Sequence, residues 1–235
     1  MSLHSQSRLL LAVRRSTTAV IAVVIVCLGT LAQAQESSKV LWQGSRVTAH
    51  PDGSELVQYA ADQMQEYLGR LTQGNLTVDK DDKLEALTSG RVRFVVGTAA
   101  ELGKIEGVPE EFVAKVRSLA AESFAVTTLG EGKSRTVIVG GPDDGGVLYG
   151  VYDVLERLGC YFQTTGDILP EARPDLALPK LDYSRTPLLT RRGLLTHPCY
   201  PQVGLFSLDD WKSLLDQMAK LKMNYLIFYW FPGEP

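Results

Sequence analysis

The sequence predicts an α/β (α+β) fold: a mixed sheet with packed helices, then the first strand–helix–strand unit of a truncated parallel barrel. Three observations point to it. Residues 136–162 run as an apolar strand, a glycine-rich turn, an amphipathic helix and a second strand. Residues 123–129 and 134–139 are two apolar runs joined by Gly-Glu-Gly-Lys, a hairpin signal that makes part of the sheet antiparallel. After Pro187 the order is strand, helix, strand, which makes its two strands parallel.

Taken in order, residues 1–34 have the layout of a secretory signal peptide. Arg8, Arg14 and Arg15 form a basic start, residues 17–31 are apolar, and Ala32-Gln33-Ala34 is an A-x-A cleavage site before Gln35. The product is then exported, to the periplasm or outside the cell. An uncleaved anchor is the alternative, although the apolar run is short for a membrane span. Cys27 lies in that run without the small residues of a lipoprotein site, so no lipid anchor is expected.

A strand over 39–48 enters the domain. Residues 54–71 form an amphipathic helix, with Leu56, Val57, Ala60, Ala61, Met64, Tyr67, Leu68 and Leu71 at helical spacing. A turn and a short strand (76–78) follow, then a polar loop with a helical turn (79–90) and a strand (91–97). Pro109 starts another helix, with Glu110 and Glu111 in the first turn, where the helix dipole favours carboxylates. After the hairpin comes a helix with Val147, Val151, Val154 and Leu158 on one face. Asp143 or Asp144 caps its start and Gly159 ends it. Gly150, inside the helix, costs about 1 kcal/mol relative to Ala, which implies that another backbone comes close there.

Residues 167–186 are extended and punctuated by Pro170, Pro174 and Pro179, a domain boundary. Beyond it lie a strand (188–196), a helix (207–221) with Ser207 and Asp210 as a capping-box pair, and a nearly all-apolar strand (224–231) of the kind buried on both faces. The expected domains are thus 1–34 (signal peptide), 35–185 (non-catalytic α/β domain) and 186–235 (start of the barrel). A (β/α)8 barrel takes roughly 250 residues, so this chain is expected to be truncated, with its last strand an exposed apolar edge.

Of the 235 residues, 45% are hydrophobic and 22% charged, an ordinary globular balance. The formal net charge of −3 leaves no electrostatic footprint for nucleic acid. Residues 140–146 precede a helix but lack a Lys-Ser/Thr ending and carry two acids, so no nucleotide is expected. Neither the histidines nor the cysteines have metal-ligand spacing, and no cofactor is called for. Export leaves Cys160 and Cys199, either as a pair or as two inert thiols. His50 reads as a turn residue. Asn75-Leu76-Thr77 is a glycosylation sequon, meaningful in a eukaryotic secretory route.

Residues 40–165 resemble the α/β domain that precedes the catalytic barrel in α-glucuronidases, β-N-acetylhexosaminidases and O-GlcNAc hydrolases. The likeness rests on Tyr59-Ala60-Ala61-Asp62 with Tyr67-Leu68, on Val96-Gly97-Thr98 after a strand, and on Ile138-Val139-Gly140-Gly141. The last is followed by Gly146-Val147-Leu148-Tyr149-Gly150 and Leu155-Glu156-Arg157-Leu158-Gly159. The resemblance continues in Arg192-Gly193, which looks like the Arg-Gly pair opening the hexosaminidase barrel, and in Lys222-Met223-Asn224 before the second strand. The family's Asp soon after the pair is replaced here by Leu194-Leu195-Thr196-His197.

The resemblance implies glycoside hydrolysis of an oligo- or polysaccharide by the parent protein. The first domain would support the barrel, and paired carboxyl groups or a substrate acetamido group would do the chemistry. The catalytic acids are expected beyond residue 235, so this chain alone should not hydrolyse glycosides. The resemblance makes Arg192 a substrate contact. His197 would sit at the C-terminal end of the first barrel strand, the face that hosts active sites, or be a plain loop histidine. Trp230 and Glu234 would end the second strand on that face, Trp230 stacking on a sugar or filling the barrel core. The alternative function is a non-catalytic carbohydrate-binding or envelope-associated protein.

Overall fold

The computed structural model describes residues 41–85, 90–132, 134–196 and 206–228. The expected signal peptide lies outside them. Residues from Val40 onward form one compact unit. Its centre is a six-stranded sheet in the order β2-β1-β3-β5-β4-β8. These strands are β1 (Leu41–Ala49), β2 (Thr77–Lys80), β3 (Arg91–Thr98), β4 (Phe124–Leu129), β5 (Arg135–Gly141) and β8 (Asp182–Arg185). β2, β1, β3 and β5 run parallel, whereas β4 is antiparallel to both β5 and β8. The sheet is therefore mixed, as the hairpin and the strand–helix–strand signals require.

Helices cover both faces. α1 (Glu55–Thr72) and α4 (Asp144–Arg157) pack on one side, where Val57, Met64, Leu68, Val151 and Leu155 meet Val47, Phe94 and Val139 of the sheet. The short α2 (Ala99–Leu102) and α3 (Glu110–Arg117) cover the other, with Leu102, Phe112 and Val116 against Val95, Ala125 and Ile138. Strand residues alternate between the two clusters because successive side chains point to opposite faces. Each large apolar side chain so buried contributes about 1.5–3 kcal/mol.

The helix starts are set by side chains. Ser54 accepts from the Val57 amide, and Thr98 and Glu101 form a reciprocal capping box. Asp143, rather than Asp144, caps α4 by accepting from the Gly146 amide. Gly159, at φ 110°, follows its C-terminal cap Leu158 as expected. Pro109 is the N-cap residue of α3 and not its first helical residue.

Several expectations change. Gly150 admits side chains and not a backbone: a Cβ there would lie 2.7 Å from Val139 Cγ1 and 3.1 Å from Phe124 Cβ. The segment after α4 is not simply a linker. The second strand expected up to 162 is present as β6 (Tyr161–Gln163), and it forms a hairpin with β7 (Gly166–Ile168) at the start of the expected linker. Leu176, Leu178 and Leu181 are buried in the core, and β8 then adds to the sheet edge beside β4. The prolines punctuate a packed strap whose non-proline amides and carbonyls both make contacts: the Arg173 amide donates to Leu71 O and the Leu181 amide to Thr128 Oγ1. Trp42 Nε1 donates to Leu176 O and Arg135 to Leu178 O.

Beyond β8, β9 (Gly193–Thr196) and β10 (Tyr225–Phe228) pair in parallel across α5 (Leu208–Lys220). The expected strand–helix–strand order is present, but β9 is shorter than the run 188–196. Ser207 and Asp210 cap α5 reciprocally. The expectation of a second strand buried on both faces is not met among the described residues. Tyr225 is 40% exposed, because among the described residues β10 pairs only with β9.

Candidate functional site

Polar and charged side chains gather where β9, α5 and the loop before β10 meet the larger sheet unit. Two clusters form there.

The first is built on Glu122, in the loop between α3 and β4. Its backbone is left-handed at φ 59°, and its amide donates to Asp143 Oδ2 at 2.8 Å while Oδ1 of the same carboxylate caps α4. Asp143 thus fixes both the helix start and the neighbouring loop. So held, the Glu122 carboxylate accepts from Arg192 at 2.8 Å and from Asn224 Nδ2 at 2.8 and 2.9 Å. Asn224 closes the pattern: its Oδ1 accepts from the Arg192 amide, and its own amide donates to Arg192 O. Arg192 further donates to Lys222 O and Leu189 O, and its guanidinium lies 5.5 Å from the centre of the Tyr149 ring. Tyr149 in turn donates to Met223 O, and burial first, then the Glu122 charge, raise its pKa. Lys222 reaches Glu156 of α4 at 2.6 Å. A cleft of about 270 Å³ opens here, lined by Glu122, Phe124, Tyr149, Arg192, Leu221 and Lys222 among others.

The second cluster centres on Lys220 of α5, whose side chain is 5% exposed. Its ammonium meets Asp167 at 3.0 Å and Asp216 at 2.6 Å. Tyr67 of α1 also donates to Asp167 Oδ2, and Gln217 donates to Oδ1. Tyr59 donates to Asp216 at 2.7 Å. Burial alone would raise the Asp167 pKa, but the donors Tyr67, Lys220 and Gln217 outweigh it and hold the carboxyl below its ordinary value. Burial likewise pulls Lys220 down, and Asp216, Tyr67 and Asp167 overcome it and raise it. A charge so deeply withdrawn from water is tolerated only when paired and hydrogen-bonded.

Of the expected site residues, Arg192 is described, and His197, Trp230 and Glu234 lie outside the described residues. Arg192 precedes β9, at the end of the strand away from its C-terminus, and its side chain is used on protein acceptors. Reading the sequence missed Glu122, Asp167 and Lys220. Only the Asn224 position gave a signal, through its place before the second barrel strand. Cys160 is buried, and burial lifts its thiol to about 12; Cys199 lies outside the described residues. His50 sits in a turn, its Nδ1 accepting from the Asp52 amide. Among the described residues no group of three or more His, Cys, Asp or Glu side chains is placed to hold a metal ion, and no helix is long and apolar enough to cross a membrane.

The family model described as glycosyl hydrolase family 67 N-terminus matches residues 25–154. No curated protein sequence matches the chain. Among solved structures, the chain is similar to a family GH115 4-O-methyl-α-glucuronidase with specificity for decorated arabinogalactans. That match has a TM-score of 0.54 and 15% identity, and covers 78% of this chain and 24% of the other. It is also similar to CpGH84D, with a TM-score of 0.50 and 14% identity, over 81% of this chain and 28% of that one. At such identities the likeness is one of fold. The chain spans about a quarter of the length of these structures.

Proposed function

Because the chain belongs to the glycosyl hydrolase family 67 N-terminus family, we propose that it is the N-terminal portion of an exported glycoside hydrolase acting on oligo- or polysaccharide. In this reading residues 35–185 form a non-catalytic domain that holds the first barrel elements in place, and residues 186–235 begin the barrel. The observation that supports it most is the junction itself. The sheet unit reaches β9 through Glu122 and Arg192, and α5 through Asp167 and Lys220. Both contacts act on the elements that open a barrel. His197, which follows β9, and Trp230 and Glu234, which follow β10, are the proposed sugar contacts. Arg192 serves that site by fixing the start of β9. The catalytic carboxyl groups belong to later strands, since glycoside hydrolysis commonly uses two flanking carboxyls.

The test compares this chain with the product of the extended reading frame. Both are assayed on aryl glucuronides, aryl N-acetylhexosaminides and plant polysaccharides. The longer product should release sugar and the 235-residue chain should not. A longer product without further strand–helix units, or one inactive on every glycoside, sinks the proposal.

A further inference from the structure

A second cleft, of about 290 Å³, lies between α5 and the turn that joins β6 to β7. Its floor is formed by Phe206, Asp210, Ser213 and Gln217, which recur at helical spacing on one face. Its wall is the turn bearing Thr164 and Thr165. Phe206 is 38% exposed, and its ring is braced edge-on by Trp211, with centroids 5.2 Å apart at 63°. Asp210 uses Oδ2 to accept from the Ser207 amide and hydroxyl. Gln217 gives its amide N–H to Asp167, and its carbonyl Oε1, buried at the inner end, has no hydrogen-bond partner among the described residues. A Cβ built on Gly166, next to Thr165, would meet nothing within 4 Å, so the wall leaves open space.

An accessible aromatic face beside hydroxyl, amide and carboxylate groups matches the two sides of a pyranose ring. The ring's C–H face is apolar and its rim carries hydroxyls, so the first stacks on Phe206 and the second meets Asp210, Ser213, Thr164 and Thr165. The volume is at the lower limit of small-molecule sites, about 300 Å³, the scale of one sugar residue. Charge narrows the choice. Lys220 is held by Asp167 and Asp216, and Lys212 pairs with Asp209. A uronate would therefore meet the Asp210 carboxylate, and no Lys or Arg lines the cleft to answer it.

We infer that this cleft binds a neutral sugar residue of a glycan chain. The inference rests on the glycoside hydrolase reading for its purpose. Phe206 and Asp210, at the start of α5, follow the C-terminal end of β9, the end of a barrel strand that hosts active sites. There the cleft holds a remote unit of the substrate, whose binding energy serves the reacting centre.

The test is titration of the 235-residue chain with cellotetraose, β-1,4-galactotetraose and tetragalacturonate, followed by calorimetry and by amide resonances of Thr164, Thr165 and Ser213. A neutral tetraose should bind and move those resonances, with tetragalacturonate about tenfold weaker or more. Phe206→Ala should weaken binding by about tenfold, and Ser213→Tyr, which fills the cleft from an exposed position, should abolish it. Both variants should keep the circular dichroism of the parent. The inference is overturned if neither neutral tetraose binds at about 10 mM, if both substitutions leave binding unchanged, or if the acidic tetramer binds equally well. Failure of the hydrolase reading is separate. A longer product inactive on glycosides leaves binding here intact, and an active one does not rescue a cleft that binds nothing.

Discussion

Lys220 and Glu122 bear the heaviest burden of any single residues at the junction. Lys220→Met leaves Asp167 and Asp216 without their cation in a buried setting, and should cost about 3 kcal/mol. Adding Asp167→Asn should restore much of it, as read by urea denaturation. The pH dependence follows from the same pair. Asp167 titrates lower in the folded chain than its unfolded value of about 3.9. Its contribution is complete above that value and fades as pH falls through the folded one. Lys220 is shifted upward, so its contribution is complete below about 10.4 and fades only as pH rises through its folded value. Thermal melts should therefore show no contribution from this pair to pH dependence between about pH 5 and 9, and Asp167→Asn should flatten the acid limb. Glu122 and Arg192 are both largely buried and joined by a charged hydrogen bond, so a double-alanine cycle should give a coupling of about 1–2 kcal/mol. Loss of either should speed amide exchange in β9 and β10, which no change in the core sheet alone would do.

Helix α4 and its turn tie the elements together. Gly146 lies so close to the residue before β4 that a Cβ would come 2.2 Å from Ser123 O, whereas at Gly145 the nearest atom is 3.6 Å away. Gly146→Ala should thus destabilise by about 3 kcal/mol, and Gly145→Ala should stabilise by about 0.5 kcal/mol through helix propensity, both read from chemical melts. These two neighbours look identical in sequence. The strands and long helices were legible because their periodicity repeats over many residues: Val57 to Leu71, Val147 to Leu158, and the all-apolar core of β3. The cap Ser207, and Asp143 as one of two neighbouring candidates, were legible because capping is a local rule, whereas Ser54, read as the first helical residue, is the cap. β8 was not legible, since Asp182-Tyr183-Ser184-Arg185 has no apolar alternation and becomes a strand only by pairing with β4. The four-residue α2 is too short to show a period. At the candidate site, Asn224 was marked by position, but Glu122 and Asp167 are ordinary surface types in sequence. Only long-range placement brings them to partners 102 and 53 residues away.

At the scale of the molecule, the contacts of Arg192, Lys220 and Lys222 bind β9, α5 and the loop before β10 to the sheet unit. Limited proteolysis followed by mass spectrometry should therefore leave a core that includes residues 206–228. In the Glu122→Ala/Asp167→Ala double variant the protected core should retreat to near Arg185, where β8 ends. The docking contacts also bear on synthesis. A chain leaves the ribosome N-terminus first, and domains generally fold as they emerge. Glu122, Asp143, Asp167 and Tyr67 all precede Gly193, so the surface that receives β9 and α5 is complete before either element is made. The strand pair β9–β10 thereby meets a surface already formed, although Leu195 and Tyr225 stay exposed on it. In that sense the sheet unit is an intramolecular template for the elements that follow it in the chain.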